Sequence, residues 1–315
     1  MDSGNKEKLT KNDLDMTSFD NVLSDPFPCA VVDDFLPQRL FDPFLESLHS
    51  YSKHLSYKAN KGRRMSVLYG TKSYSNLLRN KEFRDIHEYL ISDELLKKIH
   101  FSFNPYYSAF GLREEFRDVL KLPFKINKTE VFVTDNIFKK ALIKYLYNPW
   151  IRNTQLRKYI RRFFKTLRSP FLYPSISLSN SKGGYLEPVH ADSRHKIFIG
   201  LIYLDDMDGE GEISVFKSNR ENLSIYDSPM YPSSKNLDEI KKMEVKRNRL
   251  VLFLNSNNAW HGTNPFDGER RFIYFSIAAG DVESAFESKF SGRLGDRTRD
   301  EDVEYESSLD VGVTK

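Results

Sequence analysis

Hydrophobic positions along this chain change period part-way through. Over residues 34–48, Phe41, Phe44, Leu45 and Leu48 fall on one stripe of a helix. Residues 81–99 repeat the pattern through Ile86, Tyr89, Leu90 and Leu95, and read as a second helical region. From 174 onward, short apolar runs bounded by polar turns take over, which is the signature of buried strands. Such runs cover 196–204, 209–216, 249–255 and 272–277, the last introduced by the turn signal Asp267-Gly268. Residues 129–134 are strand-like by their β-branched content.

Other stretches depart from both patterns. Residues 1–23 are polar, lack periodicity and read as a disordered leader. Residues 218–240, rich in Ser, Asn, Pro and Tyr, interrupt the strand-rich part. A long loop in such a core is commonly functional and would serve here as a substrate lid. From about 281 the chain becomes charged and Ser-rich, a tail. No internal repeat is evident. Between Asn136 and Leu186 there is no acidic residue. Within that window Leu156, Ile160, Phe163, Phe164 and Leu167 share one helical face. Arg157, Lys158, Arg161, Arg162, Lys165 and Arg168 lie on the other, giving a cationic amphipathic helix over 156–168. The simpler reading is a solvated face on a helix packed against the core. The functional one is contact with an anionic substrate or surface, which keeps peripheral membrane contact open. No nucleic-acid-binding module accompanies it, so a nucleic-acid partner is not expected.

Composition narrows the class. The chain has 315 residues, 39% hydrophobic and 29% charged, and can bury a sizeable core. No apolar run approaches the ~18 residues needed to span a membrane, and the first residues lack a signal-peptide core. A net charge of +4 implies no particular partner. The single cysteine, Cys29, rules out an internal disulfide and a cysteine-based metal cluster. A reducing, cytoplasmic setting is expected.

The chemistry concentrates in His190-Ala191-Asp192, followed far downstream by His261. Two imidazoles and one carboxylate hold non-haem Fe(II) while leaving coordination positions open. Residues two apart in an extended segment point to the same side, so His190 and Asp192 can converge on one ion. The third ligand must then come from a distant strand. His195 sits at an odd distance from His190 and should point away. His49, His54, His87 and His100 lie in charged helical stretches and read as structural, and Trp260 reads as packing beside a ligand.

In these residues the chain resembles the 2-oxoglutarate/Fe(II)-dependent dioxygenase superfamily, within it the prolyl-4-hydroxylase-like branch. The resemblance rests on Pro188-Val189-His190-Ala191-Asp192, the runs 196–204 and 209–216, Arg249 to Phe253, and His261 through Arg271. Pro26-Phe27-Pro28 with 31–36 adds a weaker match. It implies a mainly β fold with flanking helices (α+β), built on a double-stranded β-helix, or jelly-roll, core. The domain would run over 24–280, with a helical N-terminal part at 24–173 that carries the basic insertion and the jelly-roll core at 174–280. Residues 281–315 would form the charged tail.

The resemblance assigns His190, Asp192 and His261 to iron, with 2-oxoglutarate and O2 as co-substrates. It gives Arg271 the anchoring of the 2-oxoglutarate tail, a catalytic role, with Arg270 the alternative. Strand alternation sends the two to opposite faces. Arg271 shares a face with Ile273, Phe275 and Ile277, an apolar set suited to a barrel interior, and is the expected anchor. Tyr185 is a second contact for 2-oxoglutarate. Halogenating relatives carry a small residue where this chain has Asp192, so a hydroxylase is implied, releasing succinate and CO2. A small molecule or peptide, with an anionic one among the options, is the expected substrate. A metal-retaining jelly-roll binding protein and a zinc hydrolase using the same triad are the alternatives.

Overall fold

The computed structural model describes Phe19 and residues 21–55, 57–59, 64–125, 170–183, 187–220, 228–280, 282 and 284–287. The strand-like 129–134, the basic helix 156–168 and Tyr185 lie outside the described residues. In chain order, β1 (Cys29–Val32) and α1 (Gln38–Ser47) precede β2 (Tyr57–Ala59) and β3 (Arg64–Leu68). Helices α2 (Lys72–Leu77), α3 (Lys81–Leu90), α4 (Asp93–Phe103) and α5 (Glu114–Arg117) follow. The rest is β: β4 (Leu172–Lys182), β5 (Lys196–Tyr203), β6 (Ile213–Ser218), β7 (Leu237–Met243), β8 (Leu250–Leu254), β9 (His261–Thr263) and β10 (Glu269–Ala279).

Seven strands form a major sheet in the order β1-β8-β5-β10-β4-β3-β2, and three a minor sheet, β7-β6-β9. All pairings are antiparallel. The two sheets face each other as a double-stranded β-helix. Ile199, Tyr203, Val251, Phe253 and Phe272 of the major sheet pack against Ile213, Val215 and Met243 of the minor one. The opposite face of the major sheet carries the helices. There Leu250, Leu252, Leu254, Ile273, Phe275 and Ile277 join Phe41, Phe44, Phe83 and Ile99 in one cluster. The rings of Phe103 on α4 and Phe198 on β5 meet edge-on at 5.6 Å.

Both faces of β8 and β10 are therefore buried, which is why their sequences read as continuous apolar runs. Gly200 is required at one crossing. It pairs with Phe275, and a Cβ there would lie 2.0 Å from that ring.

Several boundaries differ from the sequence reading. The helical region 81–99 is two helices, because Ser92 turns the chain and caps α4 by accepting a hydrogen bond from Leu95 N at 3.2 Å. The interrupting segment 218–240 already includes the start of β7 at Leu237. Phe19, in the polar leader, is buried against Phe35 at 6.5 Å between centroids. Phe286, in the charged tail, is buried and bridges to Leu112. Among the described residues, no helix is long and apolar enough to cross a membrane.

Candidate metal centre

The site forms where the minor sheet meets the segment before β5. His190 and His261 are directly opposed in an isolated antiparallel bridge, exchanging both N–H···O bonds at 2.9 Å. Direct opposition puts both side chains on one face, and their ring centroids are 4.6 Å apart. The close approach needs Gly262, whose Cβ would sit 3.2 Å from Glu187 O. Asp192 follows two residues after His190. Asn255, just past β8, clamps the turn behind it through bonds from Nδ2 to Ser193 O and Lys196 O, each 3.1 Å.

The ligating atoms of His190, Asp192 and His261 all lie within 4.8 Å of one another. Each imidazole bonds through Nδ1 to a backbone carbonyl, His190 to Pro188 O at 2.8 Å and His261 to Ala259 O at 3.0 Å. Both Nε2 atoms are thereby left for a metal. Burial, reinforced by neighbouring His190, pushes His261 down to about 4, so it is neutral and able to ligate near pH 7. Burial opposes ionisation of Asp192, but Lys196 and the two imidazoles outweigh it and hold the carboxyl well below the usual range.

The arginine pair is arranged opposite to expectation. Arg270 points into the barrel and is 3% exposed. It donates through Nη1 to Gly211 O and through Nη2 to Thr263 Oγ1 at 3.4 Å. Its guanidinium lies 5.1 Å and 5.3 Å from the ring centroids of Phe266 and Phe272. Arg271 points to the other side and is half-exposed. Asp205 engages it through the backbone N at 3.1 Å, Nε at 2.9 Å and Nη2. The expectation that Arg271 faces the interior is thus corrected. The apolar face of β10 packs on the helices, and the face bearing Arg270, Phe272, Tyr274 and Ser276 lines the barrel.

Three residues at the site escaped the sequence reading. Tyr203 is buried beside Arg270, and its hydroxyl has no hydrogen-bond partner among the described residues. Burial pushes this phenol up to about 12, with Arg270 the largest opposing influence. Lys196 and Tyr274 reach Asp192 as a chain: Lys196 Nζ donates to Asp192 Oδ1 at 2.5 Å and to Tyr274 Oη at 2.6 Å. Alternation puts Arg270 on the face of Phe272, and Tyr203 joins that face because it opposes Phe272 across the β5–β10 ladder.

The segment 228–231, part of the expected lid, is tied to the ligand-bearing turns. Ala191 N donates to Met230 O, and Trp260 Nε1 to Pro229 O, both at 2.8 Å. The Tyr231 ring stacks on His190 at 6.1 Å. Trp260 is buried packing, as expected. His87 and His100 bond to Tyr74 and Tyr107, away from the triad.

Among solved structures, the chain is similar to prolyl 4-hydroxylases from Phytophthora capsici at 14% identity and a TM-score of 0.43. That match covers 87% of this chain but 64% of the other, under two thirds of its length. A prolyl-4-hydroxylase from Pseudomonas putida is similar at 9% identity and a TM-score of 0.38, covering 79% of this chain and 91% of that one. HygX from Streptomyces hygroscopicus, with nickel and 2-oxoglutarate bound, is similar at 14% identity and 0.37, covering 86% and 87%. No protein-family model matches the chain, and no curated protein does.

Proposed function

We propose that this protein is an Fe(II)- and 2-oxoglutarate-dependent oxygenase, a hydroxylase that releases succinate and CO2. The observation that carries this reading is the convergence of His190, Asp192 and His261 in a two-sheet barrel that also buries Arg270 and a Tyr203 hydroxyl with no hydrogen-bond partner among the described residues. The donor set fits the metal: two imidazoles and one carboxylate suit Fe(II) and leave positions open. The wall fits the co-substrate, because a buried guanidinium and a phenol with bonding capacity to spare suit a carboxylate.

His190, Asp192 and His261 would hold Fe(II), and Arg270 with Tyr203 would hold the far carboxylate of 2-oxoglutarate. The bound metal and keto acid supply the oxidising power for attack on a C–H bond. The chain supplies orientation. Carbonyl bonds at Nδ1 fix both imidazoles, and Arg270 sets how deep the keto acid can sit. The aromatic wall of Phe266 and Phe272 keeps water from that guanidinium. Tyr231, stacked on His190, would border the approach for a small molecule or peptide.

Anaerobic titration of 2-oxoglutarate into the Fe(II)-loaded chain tests this. Chelation by a keto acid gives a visible charge-transfer absorption that neither component has alone. A band that saturates at a single equivalent, and is lost in Asp192→Ala, is expected. A loaded chain that stays colourless overturns the reading and favours a binding protein or zinc hydrolase.

A further inference from the structure

We propose that Lys196 is a positioning residue that keeps Asp192 a one-oxygen metal ligand, and so keeps a coordination position open for O2. The inference rests on the triad being the Fe(II) centre. The two oxygens of Asp192 have separate assignments. Oδ1 accepts from Lys196 Nζ at 2.5 Å. Oδ2 lies toward the imidazoles, 3.8 Å from His261 Nε2. The ammonium is itself held from behind, donating to Tyr274 Oη at 2.6 Å and lying 4.9 Å from that ring's centroid. The lysine and aspartate side chains are 21% and 15% exposed, so water competes little for the charge-assisted bond.

The backbone explains how Lys196 reaches this point. The β5–β10 pairing shifts register at Ile277/Ala278, so that Phe198 opposes Ile277 while Lys196 opposes Ala278. Ile197 and Phe198 both enter the helix-side cluster. This irregularity turns Lys196 inward, where strict alternation would send it to the helices.

The consequence is stoichiometric. On an octahedral ion, two imidazoles and a carboxylate bound through both oxygens fill four positions, and a chelating keto acid takes the remaining two. O2 would then have no site. With Oδ1 committed to Lys196, Asp192 fills a single position. A neutral residue at 196 leaves Oδ1 free to swing onto the metal.

The test uses Mn(II) alone as probe, with exchangeable inner-sphere water read from solvent proton relaxivity. His261→Ala serves as the control that the ion sits at the triad. Lys196→Met keeps the length of the stem and removes the ammonium. It should still bind Mn(II), with inner-sphere relaxivity lower by about a third, as an octahedral ion exchanges water for a second carboxylate oxygen. Lys196→Arg should return relaxivity toward wild type, and Tyr274→Phe should give a smaller drop in the same direction.

Equal relaxivity in wild type and Lys196→Met overturns the proposal. So does weakened 2-oxoglutarate binding at unchanged relaxivity, which would make Lys196 a co-substrate contact. If Lys196→Met does not fold, Tyr274→Phe decides, and unchanged relaxivity there counts against the proposal. Failure of the wild-type triad to bind Mn(II) removes the Fe(II) reading itself, and this inference with it.

Discussion

At the residue scale, each imidazole is fixed by a carbonyl two positions earlier in its own chain, Pro188 for His190 and Ala259 for His261. Removing any ligand leaves a two-donor site that open water competes with easily. His190→Ala, Asp192→Ala and His261→Ala should each abolish Fe(II) or Mn(II) binding by titration; normal affinity in one of them would remove that residue from the ligand set. The arginines separate more sharply. Arg270→Ala should weaken 2-oxoglutarate by roughly 2–5 kcal/mol, the usual cost of leaving a buried charged partner unpaired. Arg271→Ala breaks a half-exposed pair with Asp205 and should cost about 1 kcal/mol or less, in stability and not in co-substrate affinity. Calorimetric titration of both variants distinguishes the two, and a reversed order would return the anchor to Arg271. The triad was legible in the sequence because its spacing and flanking strands are both regular. Lys196 was not, because a register shift decides its direction and no local pattern announces that shift.

At the element scale, β10 explains why the two arginines face opposite to the expected directions. Alternation correctly separates Arg270 from Arg271, but it cannot say which face is the barrel. Both faces are buried, one by helices and one by the minor sheet. The more apolar face belongs to the helices, and the barrel face carries Arg270, Tyr274 and Ser276 beside Phe272. The helix layer makes its own predictions. Gly200→Ala should destabilise by about 1–3 kcal/mol through overpacking against Phe275, measured by denaturant unfolding, with partial relief in combination with Phe275→Leu. An undiminished midpoint would mean that the ring can move aside.

His87 on α3 is held at about 4 by burial and shares a 2.8 Å hydrogen bond with Tyr74. Between that value and its ordinary one of about 6.5, the unfolded chain binds a proton that the folded chain refuses. Stability should therefore fall by roughly 3 kcal/mol as pH drops through this window, and show no slope from His87 above it. His87→Gln should flatten that slope relative to wild type in urea midpoints taken across the range. Equal slopes would mean that the imidazole is not buried as a neutral ring.

At the scale of the whole molecule, the runs after 174 were legible as short buried strands, while their arrangement as a two-sheet jelly roll was what the family resemblance implied. The helical part was legible as helix but not in its breaks, because a single serine, Ser92, ends one helix and starts the next. Phe19 and Phe286 show that burial extends past the boundaries set by polar composition; one aromatic in a polar stretch is enough to dock it. In the proposed reaction the metal, the keto acid and O2 would meet in one barrel. The most direct test is succinate release from 2-oxoglutarate by the Fe(II)-loaded chain in air, with CO2 measured alongside. Equal amounts of succinate and CO2 are predicted, formed only with Fe(II) and O2, and lost in Asp192→Ala and at ordinary co-substrate concentrations in Arg270→Ala. Absence of succinate from a chain that has bound both Fe(II) and 2-oxoglutarate would contradict it.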